Sequence, residues 1–260
     1  GLLASVVLVS MAGIREKAKI TKTLEFSQSL QRNLGAYAVG IWSFDDQTNP
    51  TKDSSGYNNH GTLVNGPTFD SNTPHSIAGT GTGKYALRFD GNNDYVDAGS
   101  NILFNFANAP LVVEAWIKPN AVGTGTIVSK NCGAFAPRWI FDLNSANKLR
   151  LYSGNIIPDE VFSTNAVSAG VWSHVAVIWD GSTVAFYING ILDRKTSRTG
   201  TQDASCNNPF SIGGRIWGTS YNTLNGLIDE VRIYEKALTL GEIQKHYTEG
   251  LEGHQDLALR

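Results

Sequence analysis

The sequence has little of several features that would narrow its function. Of its 260 residues one is methionine and two are cysteines, and the formal net charge is −2. A chain so close to neutrality has no general attraction to nucleic acid. The five histidines lack the spacing of a zinc site, and neither a nucleophile elbow nor a phosphate-binding glycine loop occurs. These absences count against the common catalytic and nucleotide-binding classes.

What the sequence has in abundance indicates a folded β protein. It contains 27 glycines, 41% hydrophobic residues and 17% charged residues, a composition that suits a globular chain with many turns. No linker interrupts the chain after residue 35, and no repeat or low-complexity segment occurs. We therefore predict one head domain over residues 36–250 and a tail over residues 251–260.

The stretch Gly170–Leu192 carries the clearest structural signal. From Trp172 the side chains alternate with a period of two, and both faces are largely apolar. This pattern predicts an inner strand of a two-sheet sandwich, covered on both sides. Asp180-Gly181 and Asn189-Gly190 supply turns on either side of a partner strand at Val184–Asn189.

Other short strands are predicted at spacings of roughly ten residues, which is typical of a sandwich or jelly roll. Leu111–Pro119 reads as a core strand around Trp116, and Gly226–Tyr234 is the last strand. Trp42, Trp172 and Trp179 are likewise assigned to the core. Thr239 and Glu242 form a capping box that opens a short terminal helix.

The first 35 residues have a different character. Residues 1–14 carry no charge and as a helix would span about 21 Å, short of the ~30 Å core of a bilayer. No basic segment or initiator methionine precedes them, so we expect the chain to begin inside a longer hydrophobic segment. A charged half follows with Ile20, Leu24, Leu30 and Leu34 among polar residues, and Gly35 is a plausible stop. We predict one continuous α-helix over residues 1–35.

This layout resembles the N-terminal helix of type IV pilins and of the pseudopilins of type II secretion. The resemblance rests on residues 1–18, GLLASVVLVSMAGIREKA, and on the amphipathic half after them. It implies anchoring in the cytoplasmic membrane through residues 1–14, assembly with other pilin subunits, and an extracellular place on a pilus or cell surface. The family's leader peptide, cleavage site and acidic residue near the mature N-terminus would lie upstream of Gly1. A signal-peptide hydrophobic region and a simple membrane anchor are the alternatives.

The head resembles the laminin-G-like, concanavalin A-like jelly roll over about residues 37–248. The segments that carry the resemblance are IWSFDD, DSSGYNNHGTL, ALRFDGNNDYVDAG, VEAWIKP, WSHVAVIWDGSTVAFYINGIL, FSIGGR and LNGLIDEVRIYEKALTLGEI. It implies a mainly β fold with two antiparallel sheets of six or seven strands each. Family members commonly bind carbohydrates or partner proteins at the rim of the concave face, and many bind a structural Ca²⁺.

Two sets of side chains are candidate ligand-binding residues. Ca²⁺ takes six to eight oxygen ligands, and first-strand and last-strand segments are neighbours in the resembled fold, so a cation could join Asp229 to the early polar loop. The predicted metal ligands are Asp45, Asp53, Asn59 and Asp229. A sugar ring stacks on an aromatic side chain bracketed by polar groups, and the predicted carbohydrate-binding residues are Arg138, Trp139, Arg215, Trp217 and Tyr221. Burial in the core is the alternative for Trp139 and Trp217, and a turn cluster is the alternative for the metal residues.

Cys132 and Cys206 allow one disulfide in an exported protein. The bond would close a loop of about 75 residues, stabilise the fold by roughly 4 kcal/mol, and bring the loops at 132–139 and 213–222 together. Two buried or free thiols are the alternative.

Catalysis is not expected. The Glu-x-Asp-x-x-Glu run of glucanases with this fold does not occur, and Asp229, Glu230 and Glu235 have the wrong spacing. We therefore predict a pilin-like surface or filament subunit, not an enzyme, whose head binds carbohydrate or a partner surface. A glycoside hydrolase or lyase of the same fold, and a purely structural filament subunit, are the alternatives.

Overall fold

The structure, a computed structural model, describes residues 37–74, 85–106, 110–130, 139–154, 156–201, 207–217 and 220–252. The chain divides into two compact units, Gly1–Tyr37 and Ala38–Arg260, and the fold below is that of the second. The predicted helix over residues 1–35, with its membrane and subunit contacts, lies outside the described residues. Among the helices that are described, none is long and apolar enough to cross a membrane.

The larger of two antiparallel sheets is called the back sheet. Its hydrogen-bonded order is β14-β13-β12-β6-β19-β4-β3, and β1 also pairs with β19. Its strands, numbered in chain order, are β1 (Ala38–Trp42), β3 (Thr68–Asp70), β4 (Ala86–Asp90), β6 (Leu111–Pro119), β12 (Ser173–Trp179), β13 (Thr183–Ile188), β14 (Ile191–Ser197) and β19 (Asn225–Tyr234).

The second sheet, called the front sheet, has seven strands in the order β11-β9-β8-β7-β16-β5-β2. They are β2 (Thr62–Val64), β5 (Tyr95–Asp97), β7 (Gly125–Lys130), β8 (Trp139–Leu143), β9 (Lys148–Ser153), β11 (Glu160–Ala166) and β16 (Phe210–Ile212). Two small ribbons accompany it: β10 (Ile156–Ile157) with β15 (Thr199–Gly200), and β17 (Gly214–Trp217) with β18 (Ser220–Thr223). Two stacked antiparallel sheets confirm the predicted mainly β sandwich.

One hydrophobic core lies between the sheets. Trp42 of β1 stacks on Phe210 of β16 with ring centroids 5.7 Å apart, and Phe104, from a 3-10 helix at Ile102–Asn105, lies 4.5 Å from Phe210. Burying aromatic side chains of this size is a main source of folding free energy. The sheets are therefore held together by interlocked side chains from both inner faces.

The predicted inner strand is confirmed in β12, which lies between β6 and β13. Val175 and Val177 belong to the core, whereas His174 faces outward and is nevertheless only 2% exposed. The turn after β13 is also confirmed, since Asn189 and Gly190 have φ angles of 51° and 73°. Two successive residues with positive φ give the turn whose twist matches an antiparallel hairpin.

The outer face of the back sheet is covered by α1 (Leu240–Glu252). The predicted capping box is confirmed, because the Thr239 N–H donates to Glu242 Oε2 at 2.6 Å and the Glu242 N–H donates to Thr239 Oγ1 at 3.3 Å. The helix extends to Glu252, into residues predicted as tail. Its Tyr247 stacks on Trp116, with ring centroids 5.7 Å apart.

A polar cluster under this helix joins it to the sheet. His246 Nδ1 of α1 lies 2.6 Å from Glu114 Oε2 of β6, and His174 Nε2 of β12 lies 3.7 Å from Glu114 Oε1. Burial opposes ionisation of Glu114, but the adjacent His246 outweighs it and lowers the pKa of that carboxyl. We call Glu114, His174 and His246 the helix clasp.

One edge of the sandwich is closed by side chains. The Asp193 carboxylate of β14 accepts the backbone N–H groups of Thr164 and Asn165 of β11, at 2.5 and 3.1 Å. Arg194 Nη1 donates to the Phe162 carbonyl at 3.0 Å. Edge strands of two different sheets are thus joined without a backbone ladder between them.

Some predictions need correction. Trp172 is not a core residue: it precedes β12, is half-buried, and donates its indole N–H to Asn72 Oδ1 at 2.8 Å. Eight strands were not predicted. Four of them, β2, β3, β11 and β14, contain exposed residues that break the apolar alternation, and β10 and β15 are only two residues long. The other two are β17 and β18.

Candidate functional site

Three charged side chains form a ladder across neighbouring strands on the outer face of the front sheet. Asp142 of β8 lies opposite Arg150 of β9 in register, and Glu160 follows on β11. Arg150 Nε and Nη2 donate to the two oxygens of Asp142 at 2.9 and 2.6 Å, and Nη1 donates to Glu160 Oε2 at 3.0 Å. We call these three residues the Asp142–Arg150–Glu160 ladder.

The electrostatics of the ladder favour a fixed arginine. Asp142 is 0% exposed, and burial raises the pKa of its carboxyl although the Arg150 hydrogen bonds act in the opposite direction. The same hydrogen bonds raise the pKa of Arg150. A two-point guanidinium–carboxylate pair is geometrically specific, so the Arg150 side chain is held in one orientation at the surface.

The outer end of the ladder is accessible and is flanked by aromatic side chains. The Glu160 side chain is 42% exposed and that of Arg150 is 23% exposed. Tyr152 is in register with Glu160, Phe162 is in register with Arg150, and both rings are half-buried. Apolar surface beside a few fixed polar groups is the usual makeup of a small-molecule site.

Of the predicted carbohydrate-binding residues, Trp139 is corrected to a core residue. It is 1% exposed, donates its indole N–H to the Phe104 carbonyl at 2.8 Å, and packs edge-on against Phe106. Its position at the start of β8 turns the ring inward, into the space between the sheets. A sugar ring has no access to it.

The other predicted carbohydrate-binding residues are only partly described. Arg215 is half-buried in β17, and its charge opposes the rise that burial causes in the pKa of the Asp142 carboxyl, which places it beside the ladder. Trp217 and Tyr221 lie in the paired strands β17 and β18, but their side chains are outside the described part. Arg138 lies wholly outside it. The structure therefore brings Arg215 to the ladder and leaves the other three as predictions.

The predicted disulfide also falls outside the described residues, at both Cys132 and Cys206. The flanking strands are neighbours, since Lys130 of β7 is in register with Phe210 of β16. The loop that holds Cys132 therefore begins, and the loop that holds Cys206 ends, at the same end of the front sheet. The disulfide stays a prediction.

Two of the predicted metal ligands have structural roles instead. Asp53 Oδ1 accepts the N–H groups of Ile41 and Ser55 at 2.9 and 2.8 Å, and Oδ2 accepts the Ser55 hydroxyl and the Asn59 N–H at 2.7 and 2.9 Å. Asn59 in turn donates its amide to the Val39 carbonyl at 2.7 Å. Four donors already occupy the Asp53 carboxylate, so these residues fasten the polar loop to β1.

The remaining two metal candidates lie near each other. Burial, with the neighbouring charges of Glu230 and Asp45, raises the pKa of Asp229 well above its usual range. Asp229 is 1% exposed; Oδ1 accepts the Glu230 N–H at 2.8 Å, and Oδ2 has no hydrogen-bond partner among the described residues. Within that part of the chain no three carboxylate, histidine or cysteine side chains converge as a metal centre.

Sequence reasoning missed the ladder, although a signal for it exists. In KLRLY the apolar Leu149 and Leu151 alternate with Lys148, Arg150 and Tyr152. A period of two places the three polar residues on the face opposite the core. The missing information was which neighbouring strand faces Arg150, because register is set by the whole sheet.

Comparison with known proteins identifies the family to which the fold belongs. The family model described as the concanavalin A-like lectin/glucanases superfamily matches residues 90–244, more than half of the chain. No curated protein matches the chain significantly.

Several solved structures are similar. One is domain 4 of AbnA, a GH43 extracellular arabinanase from Geobacillus stearothermophilus, in complex with arabinotriose. It is 23% identical with a TM-score of 0.61, over 81% of this chain and 98% of that one. A second is the binding domain of Paraclostridial Mosquitocidal Protein 1, 17% identical with a TM-score of 0.61, over 82% of this chain and 52% of that one, so the chain spans about half of that domain. A third is a Trypanosoma rangeli sialidase mutant displaying trans-sialidase activity. It is 15% identical with a TM-score of 0.57, over 82% of this chain and 33% of that one. At these identities the likeness shows the fold.

Proposed function

Because the chain belongs to the concanavalin A-like lectin/glucanases superfamily, we propose that its β domain binds carbohydrate at the Asp142–Arg150–Glu160 ladder. The observation that carries the proposal is the ladder itself: fixed polar groups stand between two half-buried rings on a sheet face that the helix does not cover. The similar arabinanase domain in complex with arabinotriose supports a saccharide as ligand.

The role is that of a binding domain and not of an enzyme. Retaining glycosidases need two carboxyl groups about 5 Å apart that are free to act as acid and nucleophile. In the ladder both carboxylates accept hydrogen bonds from Arg150, and Asp142 has no exposure to solvent. The pairing supports positioning of a ligand rather than cleavage.

The setting that we propose is the cell exterior. The sequence of residues 1–35 supports a membrane or filament anchor, with other pilin subunits as partners, and the β domain would then face a glycan or surface protein. A purely structural filament subunit remains the second candidate, which binding measurements separate from the first.

The proposal is tested by glycan-array binding of the full chain, followed by isothermal titration calorimetry with each saccharide that binds. Tyr152→Ala removes a flanking ring and should weaken binding by about two- to tenfold, since ring stacking contributes roughly 0.5–1.5 kcal/mol. Glu249→Gln, in a surface pair with Lys245 on α1, is the control and should bind like the wild type. Absence of binding across the array, with the chain folded, would overturn the proposal.

For the cofactor, we propose a Ca²⁺ ion held by Asp45 and Asp229. The unpartnered buried Oδ2 of Asp229 supports this, because a cation would satisfy it. Ca²⁺ at a hundredfold excess over its Kd should raise Tm by about 5 °C, whereas Mg²⁺ should not. Asp229→Asn should abolish the shift. A wild-type Tm that does not respond to Ca²⁺ would mean that Asp229 is instead buried as the neutral acid.

A further inference from the structure

The charges around the ladder nearly balance. Lys148, Arg150 and Arg215 contribute three positive charges, with Arg215 beside the buried Asp142, and Asp142 and Glu160 contribute two negative charges. Arg150 is shared between both carboxylates. An anionic ligand would therefore compete with two built-in anions for the Arg150 guanidinium, and it would meet the exposed Glu160 carboxylate first.

The hydrogen-bond donors and acceptors of the ladder also disfavour an anionic ligand. Three of the five N–H groups of Arg150 are directed at Asp142 and Glu160, which leaves two for a ligand. Glu160 presents an exposed carboxylate that accepts hydrogen bonds but donates none. Sugar hydroxyls can donate to Glu160 and accept from Arg150 at once, whereas a ligand carboxylate or sulfate can only accept and is repelled by Glu160.

We propose that the ladder selects uncharged saccharides and discriminates against uronic, sialylated and sulfated ones. This inference rests on the proposed carbohydrate-binding function. Tyr152 and Phe162 offer half-buried rings to the C–H face of a sugar, a contact that requires no charge on the ligand. Glu160 is the residue that determines the selectivity, because it is the accessible negative charge of the ladder.

The test compares each acidic saccharide with its own neutral form. The full chain is applied to an array that holds neutral, uronic, sialylated and sulfated glycans, together with carboxyl-reduced and desulfated forms of the acidic ones. We expect binding to neutral members and to the reduced forms, with affinities that stay within about twofold between 50 and 500 mM NaCl. Binding of an acidic glycan in preference to its reduced form would overturn the inference and leave the proposed function standing.

Glu160→Gln provides the decisive variant, because it keeps the shape and one hydrogen bond while removing the charge. The ratio of acidic to neutral affinity should rise about fivefold, the effect of one unit charge roughly 4 Å away in bulk water. Glu249→Gln is the matched control and should leave the ratio unchanged. An unchanged ratio in Glu160→Gln would contradict the role of Glu160 in selectivity. If the wild type binds no glycan on the array, the proposed function itself is refuted.

Discussion

Acid should loosen the attachment of the C-terminal helix, and His174 is the group on which this prediction rests. Burial, only partly offset by Glu114, lowers the pKa of His174 from 6.5 to about 4. Arg232 and His246 act in the same direction as burial. A lowered histidine pKa means that the folded protein holds the ring neutral, so stability is lost as the pH falls from 6.5 towards about 4.

The magnitude follows from the two pKa values. A difference of about 2.5 pKa units corresponds to about 3 kcal/mol of unfolding free energy, and about 2 kcal/mol of it is lost between pH 7 and pH 5. Glu114 also loses stabilisation in acid, because its pKa is lowered from 4.5, but that loss falls below about pH 4.5. Between pH 7 and pH 5 the neutral His174 therefore contributes more to this loss than Glu114 does.

The assay is urea unfolding of the full chain at pH 7, 6 and 5, with unfolding free energies compared. Wild type should lose about 2 kcal/mol over this range, whereas His174→Gln should lose much less. His60→Gln, the control, replaces an exposed histidine whose Nδ1 accepts the Asp53 N–H at 3.0 Å, a bond that Gln can also accept, and should keep the wild-type dependence. If His174→Gln depends on pH as steeply as wild type, or if NMR of the wild type shows the His174 ring titrating above pH 6, the reasoning is refuted.

Three further substitutions test other parts of the fold by unfolding free energy. Gly250→Ala would normally strengthen a helix, but a Cβ there would lie 2.3 Å from Trp116 Nε1, so we expect a loss of about 1–3 kcal/mol; a gain would contradict the close helix–sheet contact. Asp193→Ala should cost about 1–2 kcal/mol and speed amide exchange in β11, and unchanged exchange would show that the edge contact is dispensable. Asp53→Ala should lower the unfolding free energy by at least about 2 kcal/mol, and Asp53→Asn should restore part of that loss. If Ca²⁺ stabilises the wild type but not Asp53→Ala, a metal role for Asp53 would be favoured instead.

Much of the fold could be predicted because its signals are local. The alternation in β6 and β12, the Asn189-Gly190 turn and the capping box of α1 each depend on a few adjacent residues, and each is confirmed. The strand β14 was not predicted because five of its seven residues are exposed and none is buried, which removes the period-two signal.

The candidate site was less predictable, because it depends on which strands lie side by side. Trp139 was assigned to sugar binding from its place beside a loop, but the direction of its side chain depends on where β8 begins. Asp142 and Glu160 are 18 positions apart in sequence and meet only because β9 brings Arg150 between them. Charge pairing across strands cannot be read before the register is known.

The side-chain contacts between β11 and β14 have a consequence for association between copies of this domain. An exposed terminal strand is a template on which another chain can add, the first step towards aggregation. Here the side chains of Asp193 and Arg194 on β14 occupy backbone groups at the edge of β11. Lys195 adds a charge to β14. At high concentration, such domains would thus resist pairing edge to edge through β11.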